Sequence, residues 1–410
     1  MNRQYVETEL KSNITELLPI LKKNNNVENV GYYLFCSQAG NTTVKIMTIP
    51  EEEKFDAPAK LLLSQKEISK NFSEEFIHKK LVDYYHKLLS DESKIDEYVK
   101  ELVNLLISNS LKDYFVASEV ENIQILGDHR YDFVDSTIKL LKEEDLPFKK
   151  EEFKPLSSDR TILNKPSIFT KVKAGESEKA KEIAVHNFMI SFNLIRLYAP
   201  QFKPFLKGCL LLGSQELMVY DEINRCMTTS LSTVGDLPLN HAYLSKEFYN
   251  QLIDAGINGL KEICSISKVV RECLYWWGLG LDEKHPSAKL LNFVMVLESI
   301  LKRKGERTEL RKAVSERGAI LLSNQFEERK VVVKQLKEIY DMRSKVVHTG
   351  VLIGDKDIAS LSGGYAKAVL RNLIEMSKDF NGNFDEFITY LDDMKLRGKP
   401  YDSHNNRIAH

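Results

Sequence analysis

From about Tyr243 to Phe380, apolar residues recur three and four apart in six successive segments, and no alternating, strand-like run interrupts them. A chain patterned in this way can bury its apolar stripes only by packing helix on helix, so residues 243–385 are expected to form a helical bundle. The predicted helices cover 245–263, 267–279, 287–303, 309–322, 326–348 and 364–380. Leu290, Val294, Leu297 and Leu301 mark the stripe of the third helix, and Val332, Leu336, Ile339 and Val347 that of the fifth. Arg343 falls inside the latter stripe, an unusual place for a permanent cation.

Upstream the pattern is mixed. Residues 1–110 predict a helix over 6–22, a hairpin pairing 31–35 with 43–49 around Gly40-Asn41, and helices over 74–89 and 94–108. Residues 111–242 predict strands over 114–120, 167–174, 206–212 and 217–220. They also predict a long amphipathic helix over 177–198 that buries Ala180, Ile183, Ala184, Phe188, Phe192 and Ile195 and stops before Pro200. The tail, 395–410, is polar, lacks periodicity and is expected to be flexible. The expected fold class is therefore α+β, mainly α, with an N-terminal α+β region followed by a C-terminal helical bundle.

A length of 410 residues supports two or three cores, so neither staple nor metal is required for stability. Five scattered cysteines without C-x-x-C spacing argue against a disulfide framework and a zinc ribbon, and fit a reducing cytoplasm. No cofactor or metal is expected. The chain has no leader-like start and no apolar run of about 18 residues, so a cytoplasmic protein without membrane contact is expected. The net charge of −1 removes the global basic signature of most nucleic-acid binders. Any RNA site must be local, and residues 301–349 carry thirteen basic against seven acidic side chains. Solvated helix faces explain such a bias equally well.

The chain lacks a Walker-type phosphate loop, G-x-G-x-x-G, H-E-x-x-H and G-x-S-x-G, which removes P-loop hydrolysis, Rossmann redox chemistry, zinc proteolysis and serine hydrolysis. Gly213-Ser214 followed by Asp221-Glu222 loosely matches a nucleotidyltransferase pattern, but the spacing is short and the second glycine is missing. An ordinary strand turn is the plainer reading.

Arg343-Ser344-Lys345-Val346-Val347-His348 differs in kind. Arginine supplies a planar, forked cation suited to phosphate oxygens, and histidine supplies a proton donor or acceptor near neutrality. RNA phosphodiester cleavage uses both. If the helix ends at Thr349-Gly350 with glycine as a left-handed cap, His348 lies in the last turn. Five residues rotate the two positions by about 140°, so the arginine stem must curl toward the histidine, and unwinding at the β-branched Val346-Val347 would ease the approach. On spacing alone, Arg343 paired with Glu298 and His348 merely capping the helix serve as well.

Context sharpens the motif. Leu274-Tyr275-Trp276-Trp277, the helix 288–301 containing Glu298, the run 316–322 beginning Glu316-Arg317-Gly318, and Ile339-Tyr340-Asp341-Met342-Arg343 through His348 follow one another in a specific order and spacing. Together they resemble the Apea-like branch of the HEPN superfamily over about a third of the chain. The resemblance implies a helical bundle that dimerises and cleaves RNA without metal, each protomer presenting an R-x4-6-H motif to a shared cleft. It makes Arg343 and His348 the catalytic pair, with Ser344, Glu298, Arg317 and Tyr340 as supporting positions. The implied partners are an RNA substrate, a second copy of the chain and an antitoxin or phage-derived activator, in antiviral defence or a toxin–antitoxin setting. Residues 111–242 would sense or regulate. Glu298, on the apolar side of its helix, is expected to find Arg343 or Arg317 as its partner. Trp276 and Trp277 read as core or interface before they read as base-stacking residues. The alternatives are a non-catalytic RNA- or protein-binding module and, third, nucleotidyltransferase-like activity around Asp221.

Overall fold

The computed structural model describes residues 2–25, 32–36, 43–46, 49–108, 111–147, 163–200, 204–206, 208–209, 214–221, 226–233, 242–261, 264–350, 352, 356–377 and 379–397. The fold is α+β and mainly α.

The N-terminal unit contains α1 (Arg3–Asn25), the antiparallel pair β1 (Tyr32–Cys36) and β2 (Thr43–Ile46), then α2 (Ile49–Leu63), α3 (Lys66–Ser69), α4 (Glu74–Ser90) and α5 (Ile95–Ser108). Leu10, Leu17, Phe55, Leu62, Leu81, Tyr85 and Leu102 belong to its separate core. The sequence pattern misses α2, which carries Pro58 in its interior. A proline there removes a helical hydrogen bond, and the burial of Phe55, Ala59 and Leu62 outweighs that local cost.

The next stretch contains β3 (Lys112–Glu121), β4 (Ile123–Ile125), β5 (Tyr131–Asp132), β6 (Thr137–Leu140), β7 (Pro166–Ala174), α6 (Ser177–Tyr198), β8 (Phe205–Leu206), β9 (Gly208–Cys209), β10 (Ser214–Asp221), β11 (Cys226–Thr233) and β12 (Ala242–Leu244). The main sheet runs in the order β11-β10-β3-β7-β6-β5, with β8 on β3 and β9 on β10, while β12 pairs with β4 in parallel. Alternation along β3 sends Tyr114 and Val116 into the core containing α6, and Phe115 and Ala117 into a small cluster with Phe169 and Tyr220. Of the strand expected over 206–212, residues 207 and 210–212 lie outside the described residues, as does the expected hairpin turn.

The bundle contains α7 (Lys246–Asp254), α8 (Ser265–Asp282), α9 (Pro286–Leu301), α10 (Leu310–Leu322), α11 (Phe326–Thr349), α12 (Lys356–Met376) and α13 (Phe384–Arg397). Two expectations change here. The helix predicted over 245–263 breaks at Gly256, whose φ of 105° leaves the helical region. The bundle continues past 385 through α13, which buries Phe387, Ile388, Leu391 and Met394, so residues 395–397 belong to a helix. The remainder of the expected flexible tail lies outside the described residues.

The boundary expected at 242/243 separates no cores. Buried apolar residues from Tyr114 to Met394 form one continuous cluster, because α6 is wedged between the sheet and α8. From Ile190 to Leu197 every residue of α6 is buried, polar ones included. Asn193 donates through Nδ2 to the Leu274 carbonyl at 3.0 Å and accepts from Arg196, whose guanidinium makes two bonds of 3.0 and 2.7 Å to Asp282. The approach is close enough to require glycine at 278, where an added Cβ would stand 1.9 Å from Asn193 Nδ2. The N-terminal unit meets this body at a polar joint. Glu176 caps α6 by accepting from the Glu178 and Lys179 amides, and also accepts from the amide of Ser73, the N-cap of α4. No helix among the described residues is long and apolar enough to cross a membrane.

Candidate functional site

Helix α11 packs chiefly against α10 and α9, and only Leu336 and Ile339 on it are fully buried. The apolar stripe therefore fades along its length: Val332 and Arg343 are half-buried, and Val347 is exposed. The helix stays regular to Thr349. The Gly350 amide donates to the Val346 carbonyl at 3.2 Å, and Gly350 adopts the left-handed cap at φ 65°. The expected unwinding at Val346-Val347 does not occur, since Gly350 supplies the turn at no steric cost and the last backbone bonds stay closed.

Three of the named side chains come together. Tyr340 Oη donates to Glu298 Oε1 at 2.8 Å, Arg343 Nε stands 3.6 Å from the same oxygen, and the guanidinium carbon lies 5.9 Å from the centre of the Tyr340 ring. Burial, and then the hydrogen bond to Glu298, push the Tyr340 phenol well above its ordinary pKa, so it remains a donor at neutral pH. Glu298 is thus satisfied by a phenol and a cation, as its place on the buried side of α9 demands. The Glu298 side chain is 15% exposed and that of Arg343 28% exposed.

The other three lie apart from this cluster. His348 is exposed and has no hydrogen-bond or ion-pair partner among the described residues. On a regular helix it stands about 140° around the axis from Arg343, whose Nε is turned to Glu298, so the arginine does not curl toward the histidine. Ser344 is half-buried beside Arg343. Arg317, on α10, does not pair with Glu298. It is bound to Glu306 and Asp392, each through two bonds of 2.7–3.3 Å, and to the Leu301 carbonyl at 2.8 Å. The sequence pattern did not reveal Glu306 or Asp392, although an arginine on a buried helix face signals that carboxylates must approach from neighbouring elements. Trp277 is buried, whereas Trp276 is half-buried and packs edge-on against Tyr275. Asp221 ends β10, while Gly213 and Glu222 lie outside the described residues. Among the described residues no cluster of three or more His, Cys, Asp or Glu side chains is placed to hold a metal ion.

The geometry sets the cost of truncating Glu298. A fully buried Glu298–cation pair would lose about 3 kcal/mol on truncation. With Arg343 partly hydrated, Glu298→Ala is expected to cost about 1–2 kcal/mol, much of it from the Tyr340 hydroxyl left without its acceptor. Thermal melts of Glu298→Ala and Tyr340→Phe check this, and an unchanged midpoint in both would show that the cluster contributes nothing to stability.

Comparison of the chain with family models, curated proteins and solved structures gives no match.

Proposed function

We propose that the chain is a metal-independent endoribonuclease of HEPN type, acting as a homodimer, with Arg343 and His348 as the cleavage pair. The observation that supports this reading most is the state of Arg343. Glu298 and Tyr340 fix its guanidinium in place while more than a quarter of the side chain stays open to solvent. A cation held in advance stabilises developing charge without reorganising during the reaction. Arg343 would hold the anionic phosphorane-like transition state. One histidine would take the 2′-hydroxyl proton, and the other protomer's histidine would give a proton to the leaving 5′-oxygen.

The same geometry supports the dimer reading. Arg343 and His348 diverge on one regular helix, so facing motifs from two copies bring them together more readily than one copy can. Val347, beside His348, is 48% exposed and Leu352 is 70% exposed, which leaves apolar surface at this end of α11. On this reading the protein is a cytoplasmic defence or toxin-type effector, residues 111–242 regulate it, and an antitoxin or phage-derived activator is a candidate partner.

One observation favours a second reading, a non-catalytic RNA- or protein-binding module: Arg343 already has an ion-pair partner within its own chain. Incubation with total cellular RNA, with and without EDTA, separates the two, alongside light scattering at micromolar concentration. Cleavage that survives EDTA, by a dimer, is expected. Activity dependent on magnesium would point instead to the Asp221 alternative. A fully active monomer would remove the two-protomer arrangement.

A further inference from the structure

A cavity of about 560 Å³ opens beside the Arg343 cluster, and Glu298 forms part of its wall. Met295 and Glu298 line one side, three apart on α9, and Lys302, the extended residue that follows its last turn, continues the wall. Val269, in the second turn of α8, and Phe384, the first residue of α13, supply apolar surface. The volume suits a small organic ligand, for which sites of about 300–1,000 Å³ are usual.

The lining divides by chemistry. Met295 is 39% exposed, a large apolar side chain that no packing requirement keeps at the surface. Its polarisable thioether, with Val269 and Phe384, offers a flat ring an apolar seat. The side chains of Lys302 and Lys304 have no hydrogen-bond or ion-pair partner among the described residues, so their ammonium groups are available to an anion. The positive ends of the α8 and α13 dipoles add to that field, and the two lysines outweigh the negative end of α9 beside them. Asp385, also on the rim, carries the opposite sign and directs a phosphate away from itself toward the lysines.

We infer that this cavity is the subsite for a nucleotide of single-stranded RNA next to the scissile phosphate, an inference that rests on the reading of Arg343 and His348 as the cleavage pair. The base lies against Met295, Val269 and Phe384, and its phosphate meets Lys302 and Lys304. Continuity through Glu298, whose Oε1 is 3.6 Å from Arg343 Nε, brings the neighbouring phosphate of the same strand toward the guanidinium. Glu298 thereby repels a phosphate from the boundary between the two and separates the subsites.

The test uses the full chain carrying His348→Ala, so that bound RNA is not consumed. A fluorescein-labelled single-stranded RNA of about ten nucleotides is followed by anisotropy, with inorganic phosphate and the four nucleoside 5′-monophosphates as competitors. Monophosphates are expected to compete where phosphate at equal concentration does not. Met295→Ala, at an exposed position, and Lys302→Gln, at a half-buried one, are expected to weaken RNA binding about tenfold each. Unchanged affinity in both variants overturns the inference, and so does competition by phosphate equal to that of the monophosphates with Met295→Ala silent. If the native chain cleaves RNA and both cavity variants cleave with unaltered KM, the subsite falls and the cleavage reading stands. If the native chain does not cleave but both variants weaken binding, the cleavage reading falls and the cavity stands as an RNA-binding site.

Discussion

Arg343→Ala and His348→Ala are each expected to lower RNA cleavage by about 10²-fold or more while the protein melts close to its normal temperature. Arg343→Lys should fail as well, because a point-charge ammonium cannot reproduce the planar fork that grips two phosphate oxygens. The end chemistry is more demanding than the loss of activity. Attack by the neighbouring 2′-hydroxyl leaves 2′,3′-cyclic phosphate or 3′-phosphate ends together with 5′-hydroxyl ends, and a 2′-deoxy sugar at the cut site should block the reaction. Because Arg343 also contacts Glu298, its alanine variant needs a control. Glu298→Ala keeps the guanidinium but releases it from its anchor, so a loss in Arg343→Ala well beyond that in Glu298→Ala assigns the difference to the charge itself. Products with 5′-phosphate ends would mean that the Arg–His mechanism is wrong, whatever the two variants do.

Arg317→Ala is expected to destabilise the bundle strongly. The side chain is only 7% exposed and ties α10 to α13 through Asp392, to the loop after α9 through Glu306, and to the last carbonyl of α9. Its removal strands two carboxylates and one carbonyl. Fully buried pairs lose about 3–5 kcal/mol when one partner goes; Asp392 and Glu306 keep some hydration, so about 2–4 kcal/mol is expected. Arg317→Ala with Asp392→Ala should recover part of the loss, since one stranded charge is gone. The network also sets a pH dependence. Burial opposes ionisation of Glu306, but hydrogen bonds from Arg317 and the Arg303 amide outweigh it and hold the carboxyl below its ordinary range. Its contribution is complete above the unfolded value of about 4.3 and is lost as pH falls through the lower folded value. Urea midpoints of the native and variant proteins across that window provide the check, and a variant as stable as the native protein would show that the network is inert.

Strong periodicity was legible at the level of single elements. The long helix α6 begins and ends where its apolar spacing and Pro200 place it, at Ser177 and Tyr198, and α11 falls within a residue of its predicted end because Gly350 can take the left-handed cap. The misses have local causes. Pro58 hides α2, and the Asn381-Gly382-Asn383 turn reads as the end of the bundle although Phe387, Ile388, Leu391 and Met394 repeat at helical spacing beyond it. In the candidate site, a cationic partner for Glu298 was legible because a carboxylate stood on an apolar stripe, but the choice between Arg343 and Arg317 was not. Asp392 was not, since its helix was not seen, and the cavity wall joins α8, α9 and α13, which are far apart in the chain. Spacing along one helix could not say which way Arg343 turns. That depends on Glu298 and Tyr340, which offer it an acceptor and a ring face within reach.

The shared core around α6 bears on how such a chain can be dissected. The last seven helices resemble a portable module, yet cutting before α7 would strip α6 from α8, bare Leu274 and Trp277, and leave Asp282 without Arg196. Such a fragment would be sticky before it was informative, and silence from it in an assay would say nothing about Arg343. The smallest piece that keeps its interior dry starts near residue 111. The N-terminal unit, which brings a core of its own and meets the rest at Glu176, is the part that can be exchanged without opening the larger core.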